Sequence, residues 1–190
     1  ASSQADVMAY EWHLGGAFVI EECLNVDTDA DGNELSCSVQ FVGKELVGDP
    51  KSQLVQGTHW VGNVSPSLFG DEFAEDVVIQ SRLALERLYS FGLRGPGGFD
   101  FLSCGGKPYL VDPNLGRFTG AHCPDFIAQN LFPGQPWALL EMPQNRTISE
   151  VWEILKREGL ALNFENQVGV FPFCHLPNMW SMALSFGPTN

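Results

Sequence analysis

Two strand-like stretches meet at Gly105-Gly106: Gly97-Gly98-Phe99-Asp100-Phe101 before the pair, and Lys107-Pro108-Tyr109-Leu110-Val111-Asp112-Pro113-Asn114 after it. A Gly-Gly pair in that setting predicts two antiparallel strands and a tight turn. Strand side chains alternate between faces, so Asp112 and Asn114 point the same way, and Asp100 can face them across the hairpin. Three oxygen-bearing side chains on one patch of rigid sheet suit Mg²⁺, which takes hard oxygen ligands and shares them with substrate phosphates. The plain alternative is an acidic hairpin whose carboxylates are merely solvated.

The remaining composition narrows the function classes. The chain has 190 residues, 44% of them hydrophobic, with 5 Trp and 14 Phe, which suits one folded domain with a sizeable core. Lys and Arg number 10 against 23 Asp and Glu, a net charge of −13. No basic stripe is visible, which argues against nucleic acid as a partner. The surplus acid around Asp27 to Glu34 and Asp71 to Asp76 reads as solvated surface.

Five cysteines without a C-x-x-C pair favour reduced thiols in a cytosol. His122-Cys123 and Cys174-His175 are adjacent pairs and poor tetrahedral zinc chelators. No stretch approaches the ~20 apolar residues of a membrane span, and no signal peptide is recognisable, so a cytoplasmic protein without membrane contact is expected. Asn63-Val64-Ser65 and Asn145-Arg146-Thr147 are formal sequons, short enough to arise by chance.

Along the chain, residues 1–16 read as a helical tail and Ala17 to Leu24 as a buried strand. Asp27 to Asn33 is a polar turn with Asp31-Gly32-Asn33 at its tip, and Leu35 to Val42 is the return strand. Leu54 to Val61 is read as a third strand, followed by a Gly/Ser/Pro loop through Phe69. Phe73 to Phe91 carries a helical stripe at Val77, Ala84, Leu85, Leu88 and Phe91, stopped by Gly92. Pro124 to Phe132 is a short helix ended by Pro133-Gly134. Thr147-x-x-Glu150 is a capping box opening a helix to Glu158. Val168 to Cys174 and Met179 to Phe186 are closing strands. The sum is an α+β fold with a mostly antiparallel sheet and flanking helices.

An acid followed 12 residues later by acid-x-Asn, here Asp100 and Asp112-Pro113-Asn114, resembles the metal-binding hairpin of the ATP-grasp superfamily. The usual acid in the trailing pair is Glu, so Asp112 is one methylene short. Further segments follow in ATP-grasp order. Phe18-Val-Ile-Glu-Glu-Cys-Leu24 resembles the hinge strand that holds adenine, which implies nucleotide contacts from the backbone of Glu22, Cys23 and Leu24. Glu34 resembles the acid that takes the ribose hydroxyls. Gly57-Thr58-His59-Trp60, Asn114 to His122, and Gly169 to His175 with Phe186 to Thr189 look like the pheganomycin-type peptide ligase branch. His59 and His175 read as core or loop residues, and aromatics near Trp137 and Trp180 look exposed enough to cover a neighbouring lobe.

The resemblance implies the C-terminal lobe of an ATP-grasp fold: residues 1–16 as the tail of a preceding lobe, 17–134 as the lobe with the nucleotide and metal site, and 135–190 as a helix and two strands packed on it. It implies ATP and Mg²⁺ as cofactors, with Asp100, Asp112 and Asn114 on the metal. Arg117 would stand against phosphate and His122 would shape the acceptor side or serve as general base. The implied reaction joins a small-molecule carboxylate to an amine or peptide through an acyl phosphate. No Lys or Arg precedes Lys44, so the phosphate-binding lysines of the earlier lobe are expected in an N-terminal ATP-grasp lobe of the same or another chain. Two other readings stand beside this one. The first is a non-catalytic ATP-grasp-derived binding module. The second is a metal hydrolase or lectin-like acidic β protein.

Overall fold

The computed structural model describes residues 23–57, 59–142, 145–175 and 181–187. Eight strands and three helices fill them: β1 (Ser36–Val42), β2 (Glu45–Gln56), β3 (His59–Ser65), α1 (Asp71–Ser90), β4 (Pro96–Cys104), β5 (Lys107–Leu115), α2 (His122–Leu131), β6 (Trp137–Glu141), α3 (Ile148–Arg157), β7 (Gly169–His175) and β8 (Ser181–Phe186). The strands form one sheet in the order β5-β4-β1-β2-β3-β6-β8-β7, antiparallel throughout. The expected α+β class and antiparallel sheet are what the molecule has.

Each face of this sheet carries its own core. On one face Cys37, Val39 and Phe41 of β1 meet Phe99 and Phe101 of β4, and α1 lays Phe73, Val77 and Leu85 over them. The four-residue spacing on α1 keeps these side chains on one helical stripe. On the opposite face, Leu139 of β6 and Leu184 of β8 are paired in register and pack with Ala128 and Phe132 of α2. Leu139 lies opposite Asn63 of β3, and directly opposed residues share a face. Asn63 and the strands beyond it therefore present that second face, beside α2 and with no helix over them among the described residues.

Several sequence expectations need correction. The stretch Leu54 to Val61 is not one strand: β2 ends at Gln56, Gly57 turns at φ 61°, and β3 begins at His59. Strand β6 was not foreseen, and Trp137 on it is 2% exposed rather than a surface aromatic. Phe91 falls beyond α1 and is exposed under the Arg87 guanidinium, 4.7 Å from the ring centre. His59 is neither core nor loop but an exposed β3 residue 3.4 Å from Glu141. The expected helical tail, nearly all of the first strand, and Trp180 lie outside the described residues. Cys23 and Leu24, the only described part of that strand, have no regular secondary structure. The capping box at Thr147 and Glu150 is present in both directions.

Candidate functional site

The β4–β5 hairpin turns at Gly105 and Gly106, with φ of 60° and 74°. Two consecutive positive φ values are the signature of the tight turn that matches strand twist. Asp27 fastens this tip from outside the hairpin. Its carboxylate accepts from the Ser103 hydroxyl at 2.7 Å and from the backbone N–H groups of Gly106 at 2.8 Å and Gly105 at 3.0 Å. These bonds, the Ser103 one foremost, hold its pKa below the ordinary carboxylate range. Asp29 likewise accepts from the backbone of Asp31 and Asn33. Neither is the merely solvated acid that composition suggested.

Register places Asp112 directly opposite Asp100, and Asn114 opposite Gly98, with a bulge next to Asp100. The Asn114 amide bridges both acids, donating to Asp100 Oδ2 at 2.9 Å and Asp112 Oδ2 at 3.1 Å. Gln53 of β2 donates to the other Asp100 oxygen at 3.0 Å. The Arg117 guanidinium donates to Asn114 Oδ1. Burial, and then the charge of Asp112, push the Asp100 carboxyl up to about 6. Two acids held together at that cost are the donor set expected where a cation is to sit. No group of three or more His, Cys, Asp and Glu exists for a metal among the described residues. A cation here would draw on the two carboxylates and, once the Asn114 amide turns its oxygen from Arg117 toward them, on Asn114, and would take its other oxygens from water or phosphate, as Mg²⁺ does.

A cavity of about 590 Å³ opens beside these acids, bounded by Glu34, Gln53, Trp60, Asn63, Arg117 and Thr119 among others. Residues 116–121 cross the sheet as its wall. A Cβ on Gly98 would come within 2.9 Å of the Thr119 methyl, and one on Gly120 within 3.4 Å of the Trp60 ring, so close packing fixes where the loop runs. A separate groove of about 710 Å³ on the α1 side carries mixed charge, Lys44, Arg82 and Arg94 beside Glu45 and Glu86.

His122 opens α2 at 7% exposure. Its Nδ1 accepts from the Thr119 N–H at 2.9 Å and lies 3.0 Å from the Thr119 hydroxyl; its Nε2 is 3.3 Å from the Phe41 carbonyl. That pattern places the proton on Nε2, and burial lowers its pKa. Both ring nitrogens are thus committed to holding the loop against β1. One turn on, Asp125 meets Lys51 of β2 at 3.4 Å, the lysine side chain being fully buried, and Lys51 also donates to the Asp49 carbonyl at 2.8 Å. This pair anchors α2 to the sheet.

The structure thus brings Asp100, Asp112, Asn114 and Arg117 together, sets Glu34 exposed on the cavity rim, and leaves Cys23 and Leu24 outside its lining. Glu22 lies outside the described residues. Sequence reasoning missed Gln53 and Asn63, which reach the site only through sheet register. It also missed Ser36, Ser38 and Gln40, all on the cavity face of β1; their i, i+2, i+4 spacing was the available signal.

Comparison with known proteins finds no matching family model and no matching curated protein. Solved structures do match. A protein described as of the ATP-grasp superfamily from Archaeoglobus fulgidus superposes with TM-score 0.55 at 15% identity, over 82% of this chain and 46% of that one. N5-carboxyaminoimidazole ribonucleotide synthetase from Thermus thermophilus gives 0.55 at 12%, over 82% and 46%. An L-amino acid ligase from Bacillus licheniformis gives 0.52 at 13%, over 81% and 47%. The chain shares the fold of these proteins and spans about half their length. No helix among the described residues is long and apolar enough to cross a membrane.

Proposed function

We propose that this chain is the metal- and nucleotide-binding portion of an ATP-dependent carboxylate–amine ligase that works through an acyl phosphate. The observation that carries the reading is the facing pair Asp100 and Asp112, bridged by Asn114 and backed by Arg117, on a sheet with an ATP-grasp fold. A structural neighbour, the carboxyaminoimidazole ribonucleotide synthase of Aspergillus clavatus, is solved with ATP, and another is an L-amino acid ligase. A peptide-forming reaction of the pheganomycin type is the finer form of the proposal.

In this reading Asp100, Asp112 and the Asn114 amide oxygen, turned from Arg117 to the ion, would hold Mg²⁺, which would supply charge to offset that of the transferred phosphoryl group. The planar guanidinium of Arg117 can bind two phosphate oxygens at once. A substrate carboxylate oxygen attacks the γ-phosphorus, the bond to the β-phosphate oxygen breaks, and ADP leaves. The amine nitrogen then bonds the acyl carbon while the carbon–oxygen bond to phosphate breaks. Inorganic phosphate departs with that electron pair and takes up the surplus amine proton. Glu34 stands at the rim for the ribose, and Glu22, Cys23 and Leu24 remain the proposed adenine contacts. His122 we assign to holding the 116–121 loop, since both nitrogens are engaged there. The site belongs to a cytoplasmic enzyme in this reading.

One observation favours the second reading, a non-catalytic binding module. Among the described residues Arg117 is the one cation lining the cavity, and the nearby Lys51 is committed to Asp125. A polyphosphate would be incompletely neutralised by this chain alone, so a complete enzyme needs an N-terminal lobe. Calorimetric titration of ATP with Mg²⁺ into this chain and into the full gene product separates the two. Binding that vanishes with Asp112→Ala, with ADP release on adding amino acids, supports the ligase. No nucleotide binding in either length overturns it and leaves the binding module.

A further inference from the structure

Buried polar atoms without partners are rare in native proteins and ask for an explanation. Among the described residues there are three: Ser36 Oγ, Gln40 Oε1 and Ser81 Oγ. Ser81 sits on α1, on the other side of the sheet. Ser36 and Gln40 lie on one face of one strand, at 5% and 1% exposure, and both line the cavity beside the paired acids. Between them Ser38 Oγ already receives the Gln40 Nε2–H at 3.2 Å and the Asn63 Nδ2–H at 3.4 Å. The Gln40 amide is therefore turned with its N–H end to the protein and its oxygen unmet.

We propose that Gln40 Oε1 is the seat for an N–H group of an amine substrate, a role that rests on the ligase reading; Ser36, four residues away on the same strand, lies too far along it to share the same nitrogen. Position supports it. Register sets Ser38 opposite Asp100 and Gln40 opposite Gly98, the residue against which Thr119 packs. Asp100 is therefore the diagonal neighbour of Gln40 across the strands, ~7–8 Å away and within reach of a long side chain, so an amine held by Gln40 lies within reach of a carboxyl group activated at Asp100. The chemistry supports it as well. A nucleophilic nitrogen must be unprotonated to attack, and a carboxylate seat would favour its ammonium form. The neutral amide oxygen of Gln40 accepts an N–H group without that bias. The seat consequently selects amines over carboxylates, while the acid substrate is left to the side of Arg117.

The test follows the side-chain amide NMR signals of Gln40 and Asn114, identified by their loss in Gln40→Met and Asn114→Ser. Glycinamide is the donor-bearing probe, sodium acetate the acceptor-only control, and both are titrated into the protein with Mg²⁺ and ADP. The expected result is a saturable shift of the Gln40 signal with glycinamide and none with acetate. Gln40→Met should weaken glycinamide at least tenfold with only a small loss of Tm, since it removes an unmet acceptor together with the single bond that Nε2 donates to Ser38. The proposal is overturned if glycinamide gives no saturable shift, or if acetate shifts Gln40 in its place. A Tm several degrees lower in Gln40→Met with unchanged glycinamide affinity overturns it too. If that variant fails to fold, through-bond triple-resonance spectra assign the Gln40 amide in the wild type, and the wild-type titration still decides the matter. An Asn114 signal indifferent to Mg²⁺ and ADP would count against the ligase reading separately, whatever Gln40 does.

Discussion

Strands β1 and β4 serve two different purposes on their two sides. Toward α1 they offer Cys37, Val39, Phe41, Phe99 and Phe101, all fully buried, with the Phe41 and Phe99 rings 5.0 Å apart. Toward the cavity the same strands offer Ser36, Ser38, Gln40, Gly98 and Asp100. One side is close-packed and has every reason to stay as it is. The other holds two unmet acceptors and two acids pressed together. A two-residue period lets one strand be both core and site, and the rigidity of the first side is what lets the second keep polar groups apart from water at fixed spacing. Stability should therefore reside on the α1 side, and ligand affinity on the other.

The largest effects should test whether that division is complete. Phe99→Ala removes a fully buried ring and should cost about 3–5 kcal/mol, read as denaturant midpoint. The cavity side has one place where a loss of similar size is expected. Lys51→Met strands Asp125 in a buried position and should also cost about 3–5 kcal/mol. Burial pulls the Lys51 pKa down and pushes that of Asp125 up, so neither charge is comfortable alone. The double variant Lys51→Met/Asp125→Leu should recover most of the loss. If it does not, the pair is bonded more productively than a desolvated ion pair normally is.

Asp100→Asn should move stability and affinity in opposite directions. A folded pKa of about 6 lies above the unfolded value, so the folded state holds this proton more tightly. Its contribution favours folding at low pH and is lost as pH rises from about 4 through 6, a change of order 2–3 kcal/mol. Asparagine should abolish that slope and raise stability at pH 7. Mg²⁺ binding, which needs both acids ionised, should fall as pH drops through 6 in the wild type and be lost in the variant. A stability profile between pH 4 and 7 indifferent to the substitution would show that Asp100 is not held at this cost.

How much of this was legible in the sequence depends on how local each signal is. The hairpin and its acids were readable because Gly105-Gly106 sets the turn and a two-residue period sets the faces. The α3 start was readable because Thr147 and Glu150 bond to each other's backbone. Most of β2 was not, since Gly48, Pro50 and Lys51 break any alternation, and the strand persists because Asp125, 74 positions away, satisfies the lysine. Strand β6 is short and bounded by Pro136, and its Trp137 becomes core only through Phe186 across the sheet. In the site, the acids announced themselves, whereas Gln53 gains its meaning from a partner 47 residues on. Ser36, Ser38 and Gln40 showed the alternation of a half-polar strand, but nothing local says that their polar side faces a cavity and not solvent.

The smallest effects give the sharpest comparison, because two adjacent glycines of β4 face opposite sides. A Cβ on Gly97 would stand 2.2 Å from the Phe41 ring and 2.5 Å from the Asn114 carbonyl oxygen. Neither a packed ring nor strand backbone can yield cheaply, so Gly97→Ala should cost about 1–3 kcal/mol. On Gly98 the nearest atom is the Thr119 methyl at 2.9 Å, followed by the Val39 carbonyl oxygen at 3.3 Å. The end of a side chain on a loop can move, so Gly98→Ala should cost under about 1 kcal/mol. Its consequence falls elsewhere: Thr119 is the partner of His122 and stands two residues from Arg117. Gly98→Ala should thus weaken Mg²⁺–ATP binding severalfold with Tm nearly unchanged, and Gly97→Ala should lower Tm by several degrees. Equal Tm losses in the two variants would mean that the cavity side is packed as unforgivingly as the core side, and that the loop has no freedom to close on a ligand.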